Sequence, residues 1–149
     1  MDSERIPSSS ASTIHSRRLS CGSSLLVESN SSVRSSSLSW WIPTGTMHDD
    51  PKIAESAVSI LCSGMLERGA GALDSREFND SLDRLGVIRS VSVHPMSTQV
   101  TATFRCELIE PVLRLLSDMT CRPSFSEESF ESVRSLCLRS EEHTSELQS

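Results

Sequence analysis

Apolar residues recur along this chain with two periods, one helical and one of strand type. Ile53, Ala57, Leu61 and Met65 stand four apart, with Ala54, Val58 and Leu66 beside them, which predicts a helix with one broad apolar face. Asp50-Pro51 supplies its start, Asp as N-cap and Pro at the first helical position, and Gly69 and Gly71 stop it. Asp74 then predicts a second N-cap, with Glu77 three residues on completing a capping box. Phe78, Leu82 and Leu85 form the buried stripe of that helix and Gly86 ends it.

On either side of this helix pair the period drops to two. Leu25-Leu26-Val27 is a short strand candidate, and Ser29-Asn30-Ser31 marks a turn after it. Leu38, Trp40 and Ile42 alternate with Ser37, Ser39 and Trp41 until Pro43 and Gly45 close the strand. Adjacent strand residues face opposite ways, so one of Trp40 and Trp41 is expected in the core and the other against a second domain. Beyond the helix pair, Val87, Val91 and Val93 suggest a strand on whose face Arg89 is an exception. After the turn His94-Pro95-Met96-Ser97, Val100, Ala102, Phe104 and Cys106 alternate with Thr101, Thr103 and Arg105, so the two strands should form an antiparallel hairpin.

A third helix follows from about Ile109, with Pro111 in its first turn and Leu108, Val112, Leu115 and Met119 marking the buried face beside Leu116. A last helix should start at Ser126 as N-cap, with Phe125 and Phe130 at hydrophobic-staple spacing. Glu127 and Glu128 then favour the positive end of that helix rather than forming a catalytic carboxylate pair.

The two ends break the pattern. Residues 1–21 are Ser-rich, without periodicity, and are expected to be disordered. Arg17-Arg18 among serines has a trace of transit-peptide character, against which Asp2 and Glu4 count, and no apolar region of a secretory signal is present. The cytoplasm is slightly favoured on that basis. Residues 139–149, RSEEHTSELQS, read as the in-frame translation of a sequencing adapter and are excluded from fold reasoning. The natural chain is then expected to continue past Leu138, so that the domain, taken as 22–138, lacks its last helices and strands.

Composition narrows the possibilities. The chain has 149 residues, enough for one domain with a core, and with aromatics at 4% that core must be mainly aliphatic. The net charge is −6, part of it in the tail's three glutamates, and no basic stripe exists, so nucleic acid is an unsuitable partner. No apolar run is long enough to span a membrane. Five cysteines, at 21, 62, 106, 121 and 137, give an odd count without a Cys-Xaa-Xaa-Cys pair, so reduced thiols are expected, buried where Cys62 and Cys137 fall in helical patterns and Cys106 ends a strand pattern. The four histidines, at 15, 48, 94 and 143, never share ligand spacing on a helix. His48 beside Asp49 and Asp50 is expected to be a solvated loop, with the two aspartates capping. No Gly-Xaa-Ser-Xaa-Gly elbow and no phosphate-binding glycine loop occurs.

Met65-Leu66-Glu67-Arg68-Gly69-Ala70, followed by a helix and Leu82-Asp83-Arg84-Leu85-Gly86, resembles the insulinase/pitrilysin metallopeptidase family, which includes the mitochondrial processing peptidases. Leu115-Leu116-Ser117-Asp118, Arg122-Pro123-Ser124-Phe125 and Glu127-Glu128-Ser129-Phe130-Glu131 extend the likeness, in order and spacing, over roughly residues 22 to 138. The resemblance implies an α+β fold, an antiparallel sheet with helices packed on one face in a half-barrel roll. Active members carry His-Xaa-Xaa-Glu-His on the first helix, two His binding zinc and the Glu activating water. The matching positions here are Ile60, Ser63 and Gly64, and none can do that work. The third ligand of the family, a Glu on the final helix, would fall at about Ser140, inside the excluded tail, and the nearby Glu141 carries no weight.

The expectation is therefore no catalytic residue, no metal ligand and no cofactor in this chain, although active relatives hold zinc. The function implied is the substrate-holding or structural half of a two-part peptidase, partnered by a zinc-bearing half and a peptide. Two alternatives stay open: a zinc peptidase with displaced ligands drawn from Cys62, His48 and His94, or an interaction module unrelated to proteolysis.

Overall fold

The computed structural model describes residues 5–7, 13–49 and 58–146. The expected helix start at Asp50-Pro51 and the apolar positions Ile53, Ala54 and Ala57 lie outside them. The chain divides into two compact units between Arg34 and Ser35.

The first unit is a three-stranded antiparallel sheet: β1 (Arg5–Pro7), β2 (Thr13–Arg18) and β3 (Ser24–Glu28), in that order. Residues 5–7 and 13–18, in the segment whose composition reads as disordered, are paired strands. Arg18 pairs with Ser24 and Ile14 with Glu28 around a tight turn in which Gly22 takes φ +89° and donates to the Leu19 carbonyl. This ladder is made of backbone hydrogen bonds and covers no core; Leu26 is 65% exposed. A strand with no buried face leaves no hydrophobic period in the sequence, which is why composition alone reads as disorder. With the division between Arg34 and Ser35, β3 belongs to this first unit.

The second unit is a sheet covered on one side by helices. Its strands are β4 (Ser35–Ile42), β5 (Ile88–Val93) and β6 (Thr98–Arg105), in the order β4-β6-β5, all antiparallel. β5 and β6 form the expected hairpin. The helices are α1 (Val58–Leu66), α2 (Ser75–Arg84), α3 (Ile109–Cys121) and α4 (Glu127–Glu146). Val100, Ala102 and Phe104 of β6 meet Phe78 and Leu82 of α2 and Val112, Leu116 and Met119 of α3 in one buried cluster. Each of these is apolar at the period of its own element, so local pattern and global packing agree.

Trp40 packs against the core, as one tryptophan was expected to; Trp41 is 56% exposed and stacks on His94 at 5.5 Å between ring centroids. The uncovered face of the sheet is a hydroxyl ladder. Ser37 lies 3.4 Å from Thr103, Ser90 lies 3.2 Å from Thr101, and Gln99 donates to Ser39 at 2.8 Å.

The expected caps form. Asp74 accepts the Glu77 N–H at 2.8 Å while Glu77 accepts the Asp74 N–H at 3.1 Å. Ser126 accepts the Ser129 N–H at 3.2 Å, but Phe125 and Phe130 are both exposed, so the cap holds without the staple's burial. The glycine turn after α1 is tied to the connector before α4: Gly71 N–H donates to the Arg122 carbonyl at 2.8 Å and Ser124 N–H to the Gly69 carbonyl at 2.9 Å. Those two bonds set α1 beside α4.

Candidate functional site: the cleft between two helices

α1 packs on α4 and β5, and the space between them is a cleft of about 440 Å³. The three positions that the sequence singled out, Ile60, Ser63 and Gly64, all line it. The spacing of three and four residues puts them on one side of α1, facing α4.

None of the three offers a ligand. Ile60 is aliphatic and half exposed. The Ser63 hydroxyl donates to the Ile60 carbonyl at 2.7 Å, the usual way a helical serine occupies its proton. A Cβ on Gly64 would stand 2.7 Å from Val133 Cγ1 of α4, so packing fills the place where a side chain would begin. The residues present do not fit a zinc ion. Among the described residues no three His, Cys, Asp or Glu side chains come close enough to share a metal. Ser140 and Glu141 lie on the backbone of α4, and their side chains fall outside the described residues.

The alternative donors are occupied otherwise. His48 accepts the Gly45 N–H on Nδ1 at 3.2 Å, and His94 stacks on Trp41 with its Nε2 3.3 Å from Gln99. Asp49 accepts the Ser59 hydroxyl at 2.6 Å and its N–H at 3.3 Å, so its carboxylate is engaged with α1; Asp50, the expected N-cap, lies outside the described residues. Partial desolvation against its neighbours pushes the Cys62 thiol above its ordinary range, and the Asp49 carboxylate adds to the rise. The expectation of burial is corrected at Cys62 and Cys106, which are exposed, and Cys137 is half-buried; Cys21 and Cys121 are exposed too, and no disulfide joins any of the five. Cys21 lies in a turn, Cys106 in a short 3-10 turn and Cys121 at the end of α3, places where the backbone faces solvent whatever the side chain.

The residue that sequence reasoning passed over is Arg89. It points inward from β5, its side chain only 12% exposed. Its Nη2 donates to Asn79 Oδ1 at 2.5 Å, its guanidinium lies over the Phe78 ring at 5.7 Å, and Glu67 Oε1 is 3.5 Å from Nε. That last distance is within ion-pair range, yet the buried Nε makes no hydrogen bond. The break in apolar alternation at Arg89 was the only signal available.

An antiparallel sheet backed on one face by helices, with α1 set against α4, defines an α+β domain. The family model described as Insulinase (Peptidase family M16) matches residues 24–149, and the chain belongs to that family. It is 27% identical over 122 residues to the uncharacterized zinc protease YmxG of Bacillus subtilis (strain 168), covering 80% of this chain and 29% of YmxG. Its fold is shared with a peptidase M16 inactive domain from Pseudomonas fluorescens, at TM-score 0.75 and 18% identity over 87% of this chain and 31% of that one. A protease from Helicobacter pylori matches at TM-score 0.72 and 14% identity, over 83% of this chain and 29% of its own. The chain thus spans under a third of the length of each of these relatives.

Proposed function

We propose that this chain is a non-catalytic insulinase-family domain, the substrate-holding or structural half of a two-part peptidase whose other half carries zinc. One observation carries the reading: the helix face that holds the metal motif in active members presents Ile60, Ser63 and Gly64 here, and Val133 packs into the space above Gly64. Imidazole and carboxylate groups supply lone pairs and a general base; an aliphatic chain, a committed hydroxyl and bare backbone supply neither. The shared fold with an inactive M16 domain of P. fluorescens supports the same reading. On it, proteolysis needs a partner, and this half contributes surface rather than chemistry.

The test uses the full chain, alone and co-expressed with a zinc-bearing family member from the same genome. The chain alone is expected to hold no stoichiometric zinc and to leave unstructured peptides intact. The pair is expected to co-purify and to cleave peptides in a chelator-sensitive way. Tight zinc in the chain alone, or chelator-sensitive cleavage by it, overturns the proposal in favour of displaced ligands. Recovery of no peptidase half at all points to an interaction module instead.

A further inference from the structure

The cleft between α1 and α4 has two characters. Ile60, Val133 and Leu136 form an aliphatic wall, and Arg68 and Arg89 bring two positive charges against the single negative charge of Glu67. A cationic pocket is unusual in a chain of net charge −6. Arg89 is the informative residue, because its guanidinium is largely withdrawn from water and one of its donors is unused. An unsatisfied buried donor on a charged group is expensive, and such a group in a folded protein calls for an acceptor. Glu67 stands near that donor at 3.5 Å without accepting its proton, and its own side chain is 40% exposed. An ion pair that lacks a hydrogen bond is weaker than the charge-assisted bond a well-placed carboxylate makes. Glu67 therefore acts as a loosely held internal carboxylate that a better-placed one can displace.

We propose that this cleft binds the C-terminal carboxylate of a peptide ending in an aliphatic residue. The carboxylate displaces Glu67 and accepts from the Arg89 guanidinium, while Asn79 keeps its bond to Nη2 and fixes the fork. The aliphatic side chain lies on Ile60, Val133 and Leu136. Arg68 adds long-range attraction at the cleft mouth. The inference deepens the holding role proposed above, rests on it, and names what is held.

The test is calorimetric titration of the full chain, in chelator-containing buffer, with N-acetyl-Ala-Ala-Leu as the free acid, the same peptide as its amide, and N-acetyl-Ala-Glu-Leu-amide, which carries its carboxylate on a side chain. The free acid is expected to bind at least about tenfold tighter than the amide, as one charge-assisted hydrogen bond allows, and the side-chain acid to bind like the amide. The Arg89 Nε–H resonance should shift on titration with the free acid only. Glu67→Gln removes the internal competitor and is expected to tighten the free acid several-fold while leaving the amide unchanged. Arg89→Met should erase the difference between acid and amide. Should Arg89→Met fail to fold, Glu67→Gln still decides, since a purely structural ion pair gives no gain in binding when its carboxylate is removed. Equal affinity for acid and amide, or a side-chain acid that binds as well as the terminal one, overturns the proposal. Failure to pair with a zinc-bearing half leaves this result standing, and failure to discriminate acid from amide leaves the pairing standing.

Discussion

Val133 Cγ1 on α4 occupies a point 2.7 Å from where a Cβ on Gly64 of α1 would lie. The two helices touch at the one motif position that has no side chain, and the valine is 3% exposed. Backbone of α1 and side chain of α4 are thus fitted to each other, and the fit leaves no room for a larger side chain at position 64.

Gly64→Ala sets two effects against each other. Alanine in a helix interior is favoured over glycine by about 1 kcal/mol, whereas forcing a methyl into a filled contact costs about 1–3 kcal/mol. Val133 is β-branched and stiff at χ1, so it cannot swing aside freely. Net destabilisation of about 1 kcal/mol is expected from the balance, read as a lower urea midpoint at unchanged slope. In a Val133→Ala background the same substitution should become stabilising. A double-mutant cycle with no coupling would show that the two helices are not in contact at this point.

Gly45 makes a sharper case. A Cβ there would lie 2.2 Å from the His94 carbonyl oxygen, 2.5 Å from the Ser97 nitrogen and 2.6 Å from the Pro95 oxygen. These are backbone atoms of the β5–β6 turn, and the same turn accepts the Met47 N–H at 2.9 Å. No rotamer can relieve the clash, so the loop must detach from the hairpin. Gly45→Ala is expected to cost roughly 2 kcal/mol or more and to raise hydrogen exchange at Met47. Gly22→Ala meets nothing within 4 Å and is strained only by its φ of +89°, so its cost should stay near 1 kcal/mol.

The capping box at α2 predicts an asymmetry. Asp74→Ala removes the acceptor for the Glu77 N–H and should cost about 1 kcal/mol. Glu77→Ala removes only the reciprocal bond, which is exposed and longer at 3.1 Å, and should cost less. Both effects read out as shifts in thermal midpoint, and equal losses would contradict the assignment.

Where a local rule acts alone, the sequence is sufficient. Asp74 and Glu77, the alternation through Val100, Ala102 and Phe104, and the stripe Val112, Leu116 and Met119 all appear in place. What could not be read depends on partners distant in sequence. Arg89 looked like an exception on an apolar face because Glu67, Asn79 and Phe78, which make its inward position tolerable, are distant in sequence. The strand Thr13–Arg18 was missed because hydrophobic period reports a buried face, and among the described residues of this sheet no side chain is fully buried. The three candidate positions were legible as a vacancy, but their packing against Val133 needed the third dimension.

The thiols give a test that depends on pH. Ser23 stabilises the Cys21 thiolate through its hydroxyl and its backbone N–H, which lowers that thiol below its ordinary range. Cys62 is shifted the other way by burial and then by Asp49. Alkylation proceeds through the thiolate, so at a given pH below both values Cys21 holds the larger ionised fraction and Cys62 the smaller. Peptide-mapped labelling with iodoacetamide near neutral pH should therefore reach Cys21 before Cys62. Raising the pH should narrow the gap, because the Cys62 rate keeps climbing after the Cys21 rate has levelled. Ser23→Ala should slow Cys21, and Asp49→Asn should quicken Cys62 by removing the like charge. Since desolvation is the larger cause at Cys62, Asp49→Asn should leave Cys62 still slower than Cys21. If instead Cys62 overtakes Cys21 in that variant, the carboxylate rather than burial governs the thiol, and Asp49 has a stronger hold on α1 than its two bonds to Ser59 imply.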